Sequence, residues 1–170
     1  ELDKRGKSLD GCTIAIMGDL KYGRTVHSLM KLMSLYENVT FRLFSPPSLE
    51  LPGQIADYAT KRGGRVVTCG TQIEALEGAD TVYATRVQRE RMTEELAKSK
   101  QLQGCLLDKA MLEQAGVAQD IIICHPLPRD SRPNALDLST DVDCLPGLSI
   151  FKQTDNGVLV RMAMFLTTMG

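Results

Sequence analysis

Three things are in short supply in this chain: net charge, long apolar runs and metal-type cysteine spacing. The formal net charge is −1 over 170 residues, so there is no electrostatic reason to expect nucleic acid or a membrane surface as a partner. No apolar run approaches the roughly 20 residues needed to span a bilayer, and the charged first ten residues do not read as a signal peptide. Cys12, Cys69, Cys105, Cys124 and Cys144 are widely spaced and form no C-x-x-C pair. That spacing argues against a zinc site or any other metal, and predicts reduced thiols in a cytoplasmic compartment. Gly-rich phosphate loops of the type G-x-x-x-x-G-K-[ST] are absent, as are internal repeats and low-complexity tracts. What remains is an ordinary globular composition, 43% hydrophobic and 24% charged, long enough for one domain, 1–170, with a sizeable core.

Strand-like and helix-like patterns alternate along the chain. Apolar runs at 13–17, 39–44, 65–69, 81–85 and 121–124 read as strands, the last too apolar to have a solvated face. Val26, Leu29, Met30 and Met33 recur at helical spacing. Helices are also predicted at 51–62, with Pro52 in the first turn and Gly63-Gly64 as the stop, and at 72–77, 93–100 and 109–115. Residues 125–148 read as a long loop with room for one helical turn, and 158–169 as a final amphipathic helix. This order predicts an α/β fold: a doubly wound, mainly parallel five-stranded sheet with helices on both faces.

Two strand ends carry unusual charge. Val82, Tyr83 and Ala84 suit a buried strand, but Arg86, Gln88, Glu90 and Arg91 follow at once. Polar groups just past a strand's C-terminal edge lie where open α/β sheets bind ligands. Arg24 follows the first strand in the same way. An arginine fork donates two parallel hydrogen bonds to an oxyanion, so two of them suggest a site for a dicarboxylate or a phosphate.

Four blocks together resemble the aspartate-binding half of the aspartate carbamoyltransferases. They are Met17-Gly18-Asp19-Leu20-Lys21-Tyr22-Gly23-Arg24-Thr25-Val26-His27-Ser28-Leu29, Tyr83-Ala84-Thr85-Arg86-Val87-Gln88-Arg89-Glu90-Arg91, His125-Pro126-Leu127-Pro128-Arg129 and Asn156-Gly157-Val158-Leu159-Val160-Arg161-Met162-Ala163. The resemblance implies transfer of the carbamoyl group of carbamoyl phosphate to L-aspartate in pyrimidine biosynthesis, without a cofactor. It implies that Arg24 and Arg86 hold the two carboxylates of aspartate and that Gln88 supports them. Glu90 would orient Arg86, and backbone carbonyls of Pro126 and Leu127 would face the substrate nitrogens, with a cis Leu127-Pro128 bond. Arg129 and Arg161 would form a polar network beneath the site, while Lys21 and Tyr22 would belong to a loop that moves on closure. The family's phosphate-binding Ser-Thr-Arg-Thr-Arg segment does not occur here. The carbamoyl phosphate domain is therefore expected to lie off this chain, which alone should not turn over. The complete catalytic chain is expected to be a homotrimer.

Other readings stand beside these. Arg86 and Gln88 would serve equally as surface partners of Glu90 or Glu94, and Arg24 as a loop cap. His27 and His125 suit structural hydrogen bonding better than catalysis, and Arg161 suits a buried ion pair. An ornithine carbamoyltransferase-like domain should offer an acid where Arg86 stands, and typically shows His-Cys-Leu-Pro where this chain has His125-Pro126-Leu127-Pro128. A non-catalytic scaffold of a multifunctional pyrimidine protein would have no use for the arginines. Aspartate binding is the reading these residues favour.

Overall fold

Side chains of the first strand, β1 (Thr13–Met17), divide between the two faces of a sheet, and both faces are buried. Ile14 and Ile16 face one core, Ala15 and Met17 the other. The computed structural model describes residues 1–88, 105–130 and 137–169. In it β1 joins β2 (Thr40–Phe44), β3 (Arg65–Thr68), β4 (Thr81–Ala84) and β5 (Ile122–Cys124) in one sheet, ordered β3-β2-β1-β4-β5. Every pairing is parallel, as the alternation of strands and helices predicts.

Helices α1 (Arg24–Met33) and α2 (Gly53–Lys61) cover one face. Their Val26, Met30, Ile55 and Ala59 pack on Ile14, Ile16, Phe41 and Leu43. Helices α3 (Gln72–Leu76) and α4 (Lys109–Gln114) cover the other, where Leu76 and Leu112 meet Met17, Val82 and Ile123. Burying a side chain of this size contributes about 1.5–3 kcal/mol, so two such layers explain why a doubly wound sheet is stable here. Both short helices on the second face begin with a side-chain cap. Thr71 Oγ1 accepts from the Glu74 N–H at 3.1 Å, and Asp108 Oδ1 accepts from the Met111 N–H at 2.8 Å.

In the C-terminal third the expected loop with one helical turn is present, and the last helix differs from expectation. The loop after β5 contains a five-residue 3-10 turn, Thr140–Cys144, and is tied back to the core by bridges Leu107 to Leu138 and Ile123 to Leu148. The last helix, α5 (Ile150–Met169), starts well before residue 158 and buries only Ile150. The amphipathic reading is corrected accordingly: Phe151, Leu159, Phe165 and Leu166 are all at least 60% exposed. Nothing described packs over them. The helix predicted at 93–100 lies outside the described residues.

Candidate functional site

After β1 the chain steps outward to β2 and β3, then crosses back to β4 on the far side of β1. Loops leaving the C-terminal ends of β1 and β4 therefore diverge, and a crevice opens between them. The β1 loop carries Lys21, Tyr22 and Arg24; the β4 loop carries Arg86 and Gln88. The two loops touch at their roots. Gly18 has φ of 111°, and a β-carbon there would land on the carbonyl oxygen of Thr85. Only glycine fits that approach.

Asp19 is fully buried and joins the loops. Its N–H donates to Thr85 Oγ1 at 3.1 Å. Its carboxylate accepts the Tyr22 N–H on Oδ1 at 2.8 Å and the Gln88 N–H on Oδ2 at 3.0 Å. One carboxylate thus fixes the backbone of both arginine-bearing loops. Tyr22 adds an apolar tie by packing with Leu49 and Val87. Nearby, burial and then the Asp19 charge push the Cys105 thiol up to about 12.

Arg24 is exposed and is the first residue of α1, whose N-cap, Gly23, provides no side-chain hydrogen bond. A cation at the positive end of a helix is misplaced for stability by about 0.3–1 kcal/mol. An anionic ligand would reverse that sign, because it would meet both the guanidinium and the helix N–H groups. His27 is spent structurally, with Nε2 donating to the Leu20 carbonyl at 2.9 Å. Arg86 and Gln88 are half-buried just past β4. Lys21 is exposed, 5.4 Å from the Tyr22 ring centre. Glu90 lies outside the described residues.

A third loop leaves the end of β5. His125 is buried, its Nδ1 accepting the Leu127 N–H at 2.9 Å and its Nε2 lying 2.8 Å from Asp137 Oδ2. A backbone N–H can only donate, so Nδ1 is unprotonated and Nε2 donates to the carboxylate. Asp137 also accepts from the Leu138 N–H at 2.8 Å and the Asp130 N–H at 3.2 Å. The Leu127-Pro128 bond is cis, as the resemblance implies. Arg129 pairs with Asp143 at 2.6 Å and reaches the Ser139 carbonyl, so its polar network is internal to this loop. Arg161 is exposed on α5, and no described residue buries it in an ion pair.

Two acids that hold the site together, Asp19 and Asp137, had no role assigned from sequence. Each is flanked by apolar residues, Asp19 before Leu20 and Asp137 between Leu136 and Leu138. An acid in such a setting is seldom buried unless it is paired, and that was the readable signal. A cavity of about 940 Å³ lies between the N-terminal segment and α5. Its walls include Thr81, Ile122 and Cys124 of the sheet and Gln153 and Arg161 of α5.

A doubly wound parallel sheet whose strand order reverses beside β1 defines an open α/β domain, the class that binds ligands at its strand ends. Comparison with known proteins narrows the class. The model of the family described as "Aspartate/ornithine carbamoyltransferase, Asp/Orn binding domain" matches residues 10–168, and the chain belongs to that family. It is 46% identical over 169 residues to the aspartate carbamoyltransferase catalytic subunit of Dichelobacter nodosus, covering 97% of this chain and 47% of that protein. With the same subunit of Saccharophagus degradans it shares 43% identity, covering 97% and 49%. Among solved structures, aspartate transcarbamoylase of Trypanosoma cruzi in complex with aspartate and phosphate superposes with a TM-score of 0.80 at 30% identity. That match covers 96% of this chain and 52% of the other. The chain spans about half the length of the relatives it matches.

Proposed function

We propose that this chain is the aspartate-binding domain of an aspartate carbamoyltransferase, which converts carbamoyl phosphate and L-aspartate to N-carbamoyl-L-aspartate and phosphate. In this reading Arg24 and Arg86 each hold one carboxylate, with Gln88 beside Arg86. The aspartate nitrogen attacks the carbamoyl carbon, the carbon–oxygen bond to phosphate breaks, and the nitrogen loses a proton as phosphate leaves. Carbonyls of Pro126 and Leu127 accept hydrogen bonds from the substrate nitrogens. Most of the rate would come from alignment and from stabilising the developing oxyanion. The oxyanion donors and phosphate cradle belong to a second domain in this reading, and the complete catalytic chain acts as a cytoplasmic homotrimer in pyrimidine biosynthesis.

The single observation that carries this proposal is the Asp19 carboxylate, which joins the loop of Arg24 to the loop of Arg86 and Gln88. Two cationic forks on one rigid frame suit two carboxylates on one small molecule. The curated relatives described above are named for aspartate, which favours it over ornithine. The test is the initial rate of carbamoyl transfer by the complete polypeptide with aspartate and with ornithine. Aspartate should be the substrate. Arg86→Ala should lower kcat/KM by at least about 100-fold, since hydrogen bonds to a charged group are worth about 1.5–3 kcal/mol each. Preference for ornithine, or indifference to Arg86→Ala, would refute the proposal.

A further inference from the structure

From the contacts of the β5 loop we infer that His125 and Asp137 are positioning residues, which fix the backbone carbonyls of Pro126 and Leu127 toward the substrate through the Leu127 N–H. The inference rests on the proposed function, which assigns those carbonyls to the substrate nitrogens. Leu127 has φ of 51°, a left-handed conformation that a leucine adopts only when its surroundings hold it there. The contact that holds it is the bond from its N–H to His125 Nδ1, 2.9 Å long. His125 cannot turn away, because Nε2 donates to Asp137 Oδ2 at 2.8 Å and both side chains are at most 3% exposed. Asp137 in turn is fixed by the N–H groups of Leu138 and Asp130. The chain of bonds therefore runs from the loop interior, through the imidazole, to the peptide that presents the two carbonyls. His125 touches no reacting atom in this scheme; its tautomer determines where the turn sits.

Two isosteres separate this role from simple core filling. Asn can place an amide oxygen where Nδ1 stood and so keep an acceptor for Leu127, while losing Asp137. Gln can keep a donor toward Asp137, while losing the acceptor for Leu127. In the complete polypeptide, His125→Asn should retain kcat within about threefold. His125→Gln should lower kcat about 30- to 100-fold, the scale of a roughly 1 Å misplacement. KM for aspartate should change less than about threefold in both, because Arg24, Arg86 and Gln88 are fixed by Asp19 instead. Hydrogen exchange at the Leu127 amide should quicken in His125→Gln and stay slow in His125→Asn. If the two variants lose kcat equally, or His125→Gln keeps the wild-type kcat, the inference is overturned while the proposed function survives. An unmodified polypeptide that transfers nothing to aspartate would overturn the proposed function, and this inference with it.

Discussion

Asp19 shows how much of the site depends on one residue. Its two oxygens satisfy two N–H groups from different loops, and removing it leaves both donors without their acceptor. Each unsatisfied buried donor costs about 1–3 kcal/mol. Asp19→Ala should therefore lower unfolding free energy by about 2–5 kcal/mol in urea denaturation, and should weaken aspartate binding by the complete polypeptide. Asp19→Asn, which retains one acceptor oxygen, should fall between. A stable Ala variant with unchanged aspartate affinity would show that the loops are held by something else. The arginines were legible in sequence because a guanidinium just past an apolar strand stands out against the run before it. Asp19 and Asp137 were less legible, because apart from the His125 imidazole the groups they bind are backbone N–H groups, which no motif marks.

The strands could be read as short apolar runs, and the first helix from period, since Val26, Met30 and Met33 recur by turns. Helix α5 resisted that reading for two reasons. Its first turns, through Lys152, Asp155, Asn156 and Gly157, are polar or flexible, so the apolar pattern begins late although the backbone is already helical. Beyond Ile150 its large apolar residues are exposed, so a pattern that usually marks a buried face marks an exposed one here. Ile150 anchors the helix to the core that includes Leu112, Ile121 and Ile123. Ile150→Ala should destabilise the chain by about 2–4 kcal/mol, whereas Phe165→Ser should change its stability by less than about 0.5 kcal/mol. Equal losses from the two substitutions in urea titrations would mean that α5 packs along its length.

Across the whole molecule, burial leaves a signature in the thiols. Burial is the main cause that pushes Cys12 and Cys124 up to about 11 and Cys105 up to about 12. An unfolded chain releases these protons near pH 8.5, the folded chain only at about 11–12. Between those limits the unfolded state binds fewer protons, so stability is fully present below about pH 8.5 and is lost as pH rises. The urea midpoint should fall steadily from pH 9 to 11, and less steeply in Cys105→Ala; a flat profile would contradict the burial argument. Sequence reading reached the fold and the cationic residues, but which loops meet depends on the order β3-β2-β1-β4-β5, which no local pattern encodes. The proposed two-point carboxylate clamp is the feature that most needs measurement. Calorimetric titration of the complete polypeptide with succinate and with butyrate compares two carboxylates against one, with no amine to react. Succinate should bind at least about tenfold tighter, and Arg86→Ala should abolish the difference. Equal affinities, or a difference untouched by Arg86→Ala, would contradict a clamp built from Arg24 and Arg86.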